Sequence, residues 1–91
     1  HPHPMTALVS VLRSATESRR RALKFGWSRR KDHDDVTRAL MLCEQFLMSY
    51  PGASDALVRN WCKDNQNAVA CVVLGGRTAV LFKLLGNGPS Q

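Results

Sequence analysis

The stretch AVACVVLGGRTAVLFKLL, residues 68–85, decides how the chain is read. Two apolar, β-branched runs meet at Gly75-Gly76. A two-residue primed turn needs positive φ at its centre, which glycine adopts freely, so the pattern predicts a β-hairpin. The glycine pair and the valines both disfavour a continuous helix. In strand geometry Val69, Cys71 and Val73 share one face, and Ala70, Val72 and Leu74 the other. The second run alternates Thr78, Val80, Phe82 and Leu84 with Ala79, Leu81, Lys83 and Leu85. Both faces are mainly apolar, and a two-stranded sheet alone is marginal, so both faces need cover. Helices can supply one side. A second copy of the chain is the expected cover for the other, with Val72, Leu74, Val80 and Phe82 at a homodimer interface. The alternative is a monomer in which the first two helices wrap opposite sides of the hairpin.

Upstream, three helices are predicted. Residues 6–25 follow a helical period, with Thr6 as cap and Gly26 as terminator. Leu8, Val11, Leu12, Ala15 and Ala22 gather on one side, with Leu23 at its border. Arg13, Glu17, Arg20 and Lys24 lie opposite, and Arg21 widens that stripe. Arg19 falls beside the apolar side, where it either snorkels outward or pairs with a carboxylate. Residues 35–50 repeat apolar side chains at spacings of three and four, from Val36 to Tyr50, and Pro51-Gly52 stops them. The acidic DHDD before this run reads as capping of free N–H groups. Met41 and Met48 sit on another side, as packing or as an adaptable contact surface. Ser54 caps a third, shorter helix in which Leu57, Val58, Trp61 and Cys62 share a face. The expected fold class is therefore α+β, mainly helical, in the order α-α-α-β-β. A single domain spans 6–86, with residues 1–5 as a leading tail and 87–91 as a flexible one. A chain of 91 residues with 44% apolar side chains suits one small domain.

Charge is distributed unevenly. The net value is +6. Residues 1–31 hold eight Lys and Arg against Glu17 alone, whereas residues 32–91 hold five against six acids. The whole excess lies in the first third, which points to a polyanionic partner near the first helix. RRRALKFGWSRRK, residues 19–31, carries its densest part. Backbone-directed nucleic-acid binding needs several cations on one surface, and Arg provides forked phosphate contacts. The candidate contacts are Arg13, Arg20, Arg21, Lys24, Arg29, Arg30 and Lys31, with Trp27 stacking on a base or packing over the helix end. The expected function is a non-catalytic binder of RNA or DNA, gripping a duplex by its phosphates.

The competing expectation is a protein-interaction module of a viral or regulatory assembly, meeting an acidic partner. A helix, helix, short helix, hairpin order also matches a winged-helix layout, in which Arg59, Asn60 and Lys63 would enter the major groove. The charge sits on the first helix instead, which speaks against that layout. A nuclear-import address and an anionic lipid surface are weaker readings of the basic stretch. Catalysis is not expected. His33 stands in a charged turn, Ser and Cys residues fall at caps or on apolar faces, and no phosphate-loop or dinucleotide motif occurs. Cys43, Cys62 and Cys71 have no paired metal-ligand spacing, so reduced buried thiols in an intracellular protein are expected, with no metal or cofactor. No run is long and apolar enough to span a bilayer.

Overall fold

A computed structural model of the chain describes residues 7–26 and 33–73. These form four helices: α1 (Leu8–Lys24), α2 (His33–Ser49), α3 (Asp55–Asp64) and α4 (Gln66–Val72). The expected first strand is overturned, because Gln66–Val72 is helical. The turn at Gly75-Gly76 and the second strand lie outside the described residues. Among the described residues there is no strand, so helix-on-helix packing replaces the expected α+β arrangement. The winged-helix order falls with it, since α3 is followed by a helix where the wing's first strand should be.

α4 has a physical reason to be helical. Val69 and Val72, three residues apart, are both fully buried, while Ala70 is exposed. That is helical spacing. Val69 packs with Phe46, Leu47 and Cys62, and Val72 with Val36, Ala39, Leu40 and Cys43, so α4 runs back along α2. Burial of two valines outweighs their strand propensity, which is only a weak prior. Val72 is thereby withdrawn from the expected dimer interface: it fills the chain's own core.

The ends of α1 show how the helices are tied together. Ala7 is the N-cap and has no side-chain bond to give. The expected cap, Thr6, lies outside the described residues. The Leu8 N–H instead donates to Asp55 Oδ1 of α3 at 3.0 Å, across 47 positions. At the other end, the Phe25 N–H bonds to Arg21 O and the Gly26 N–H to Leu23 O. Gly26 has φ of 75°, so it ends the helix as expected.

α2 starts two residues earlier than the period predicts, which places Asp34 and Asp35 inside its first turn, against the positive end of the dipole. Ser54 caps α3 as expected, with its Oγ accepting from the Leu57 N–H at 3.2 Å. Asn65 both ends α3 and begins α4, and its side-chain amide donates to Trp61 O at 2.8 Å.

The core forms two adjoining clusters. One joins Leu8, Val9, Leu12 and Ala15 of α1 to Phe46, Leu47, Val58 and Cys62. The other gathers Val36, Ala39, Leu40 and Cys43 around Val72. Trp61 packs against both and stacks on Phe46 with centroids 4.6 Å apart and planes 18° from parallel. Such an aromatic pair contributes about 1 kcal/mol beyond its buried area.

Candidate nucleic-acid interface

The cations of α1 do not form one free stripe. Arg13 reaches the turn between α2 and α3, where its Nη2 donates to Pro51 O at 2.9 Å. Arg20 pairs with Glu44 of α2 through a fork: Nε donates to Oε2 at 3.0 Å and Nη2 to Oε1 at 2.7 Å. The hydrogen bond to Glu44 raises the Arg20 pKa above its ordinary value; desolvation opposes this and the carboxylate charge adds to it. Both side chains are more than a third exposed, so the pair adds at most about 1 kcal/mol to stability. Glu44 also offsets the Arg20 charge on this side of α1.

Arg19 plays a third part. Its Nε donates to the carbonyls of Cys71 at 3.1 Å and Val72 at 3.3 Å. These are last-turn carbonyls of α4, which have no partner within the helix. Arg19 is therefore neither a snorkelling side chain nor a carboxylate partner; it closes the C-terminal end of α4.

That leaves the last turn of α1. Arg21 is exposed, with Nη2 3.3 Å from Ser18 Oγ, and Lys24 is exposed at the helix end. Phe25 follows directly and is 63% exposed, an aromatic ring beside two cations. The candidate contacts Trp27, Arg29, Arg30 and Lys31 lie outside the described residues, as do Leu74, Val80 and Phe82 of the expected dimer interface. Of the candidate contacts, then, Arg21 and Lys24 are brought together at an open helix end, and Arg13 and Arg20 are held against neighbouring elements. Phe25 was not a candidate contact. The signal for it was its place beside the terminating Gly26, one step past the helical period.

Other surfaces offer less chemistry. Met41 and Met48 are 51% and 81% exposed on the outer side of α2. On α3, Asn60 and Lys63 are exposed and Arg59 is half-buried. Among the described residues no three His, Cys, Asp or Glu side chains gather to hold a metal ion, and no helix is long and apolar enough to cross a membrane. Cys43, Cys62 and Cys71 are free thiols. Burial pushes Cys43 up to about 12, with smaller contributions from its neighbours, and Cys62 up to about 11. Thiolate is the reactive form, so both are inert near neutral pH. Iodoacetamide at pH 8 is expected to label the half-buried Cys71 first and to spare Cys43 and Cys62 until the chain unfolds, as peptide mass spectrometry would show. Raised folded pKa values also fix a sign. The stability from keeping these thiols neutral is complete below about pH 8.5 and is lost as pH rises through 11 to 12.

A small helical domain with a cationic, aromatic-tipped helix end is the class that fold and surface define. No family model, curated protein or solved structure matches the chain significantly, so its function is read from its own residues.

Proposed function

We propose that the protein is a non-catalytic nucleic-acid binder that contacts phosphates with the end of α1. The observation that carries this reading is the placement of charge. Eight cations against one acid fall in residues 1–31, and Arg21 and Lys24 stand together on the last turn of α1. Arg29, Arg30 and Lys31 follow within seven residues of Lys24 in the chain. A helix C-terminus is itself slightly negative, so these two cations also stabilise the helix. Two full charges exceed that partial one, and the local field is positive. Phosphate contacts release counterions, which makes affinity fall steeply with salt.

The test is a gel-shift panel of single- and double-stranded RNA and DNA across salt. Changing Arg21 and Lys24 together to Ala is expected to weaken binding and to flatten the slope of log affinity against log salt, by roughly 0.7–0.9 for each lost contact. If no nucleic acid shifts even at low salt, the proposal fails.

A protein-interaction role is the second reading, favoured by the 81% exposure of Met48. In that case a partner's binding survives Arg21→Ala with Lys24→Ala but is lost with Met48→Asp.

A further inference from the structure

We infer that the outer face of α2 is a homodimer interface, in which α2 packs antiparallel against α2 of a second copy across Gln45. The inference goes beyond the proposed nucleic-acid role and does not rest on it. It assigns self-association to a helix of the described fold rather than to the C-terminal apolar run, whose Val72 fills the core.

The core takes Val36, Ala39, Leu40, Cys43, Phe46 and Leu47 of α2. The opposite side carries Arg38, Met41, Gln45 and Met48, at spacings of three, four and three. That is the spacing of a single seam along a helix, the seam by which two helices pack side by side. All four residues are exposed, Met41 by 51% and Met48 by 81%. Methionine is unbranched and flexible, which suits a contact surface that adapts. Beside Met48 a groove of about 410 Å³ opens between α1 and α2, with Thr16, Glu17, Leu47 and Pro51 in its lining.

The seam is complementary to itself, which a second copy requires and an unrelated partner does not. With the two α2 helices antiparallel and Gln45 on the two-fold axis, Met41 of each copy faces the other's Met48 and the groove beside it. Gln45 meets its own copy. An amide both donates and accepts, so it pairs with itself, as a carboxylate or an ammonium cannot. A polar residue at one seam position also fixes register. Arg38 of each copy reaches the last turn of the other's α2. That turn has no basic side chain and carries the negative end of the helix dipole. The cationic turns of α1 stay apart. Arg13 bonds at Pro51 and Arg20 at Glu44, so α1 runs antiparallel to α2 and ends toward its N-terminal half. Antiparallel α2 helices therefore put the two cationic turns at opposite ends of the pair. One helix face per copy makes a small interface, so a dissociation constant on the order of micromolar is expected.

The experiment measures the mass of the full chain by sedimentation equilibrium, from micromolar to near-millimolar concentration. Wild type is expected to pass from monomer to dimer. Met48→Lys is expected to raise the dissociation constant roughly tenfold or more, and Arg38→Glu roughly fivefold. Lys suits the last turn of a helix and Glu the first half, and both positions are exposed, so circular dichroism should not change. Gln45→Cys in a Cys71→Ala background should be joined to its own copy by a short bis-maleimide. Asn60→Cys in the same background, exposed on α3, should not. A wild type that stays monomeric overturns the inference; if Met48→Lys then also lowers stability to urea, residues 74–85 of the same chain cover the face instead. A dimer indifferent to Met48→Lys, or one that Gln45→Cys does not cross-link, overturns it by placing the interface elsewhere. Gel shifts that depend on Arg21 and Lys24 are read separately, so the proposed function stands or falls on its own.

Discussion

Val72→Gln is expected to lower the unfolding free energy by about 3 kcal/mol, whereas Ala70→Gln leaves it within about 0.5 kcal/mol. The two positions separate helix from strand. In a strand they share a face, and a polar side chain would be felt similarly at both. In α4 they diverge: Val72 is fully buried among Val36, Ala39, Leu40 and Cys43, and Ala70 is exposed. Gln at 72 removes apolar burial and places an amide among apolar side chains. Gln at 70 faces water and is a good helix former. Urea unfolding of the two variants checks this. Similar losses at both positions would restore the strand.

The same segment shows where local pattern misleads. Val69, Cys71 and Val73 alternate with Ala70, Val72 and Leu74 so evenly in apolar character that period two and period 3.6 are both satisfied. A run apolar on all sides carries no phase. What selects the helix is the gap left by α1, α2 and α3, which Val69 and Val72 fill, and that gap is a property of the assembled chain. Helices with a polar side did carry a phase. Val36, Ala39, Leu40, Cys43, Phe46 and Leu47 are buried as their spacing predicts, while Tyr50, at the end of that row, is 51% exposed. Ser54 and Gly26 mark the helix ends by local chemistry alone.

The basic face of α1 was legible in its charge but not in the side-chain contacts its cations make. Helical spacing places Arg13 and Arg20 away from the apolar side of α1, and they do lie off the core. It cannot show that Pro51 O and Glu44, 38 and 24 positions onward, reach them. A wheel drawn for one helix has no neighbours, so it reads as open any position that borders a second helix. Glu44 itself sat on the side of α2 with Met41 and Met48, and only the crossing of α1 and α2 gives it a cation. Phe25 is obscured for the opposite reason. As the C-cap residue it lies one step past the helical period, so the wheel assigns it to no side.

Arg19→Met is expected to cost about 2 kcal/mol of stability and to act on α4 before the rest of the fold. The substitution keeps an apolar stem of similar length and removes the donor that bonds the Cys71 and Val72 carbonyls. Those carbonyls end a helix of seven residues whose N-cap side chain makes no capping bond. Short helices depend on tertiary ties, because isolated ones of this length do not form. Hydrogen exchange of the α4 amides should therefore accelerate more than that of α1 or α2. Arg19→Lys should recover part of the loss, since an ammonium donates but cannot match the Nε position. Arg21→Met, two positions away and exposed, should leave stability near wild type while weakening nucleic-acid binding. Neighbouring arginines of one basic run thus differ in place, Arg19 bonded to the end of α4 and Arg21 exposed on the last turn of α1. Equal stability of Arg19→Met and wild type would show that the α4 carbonyls are satisfied without it.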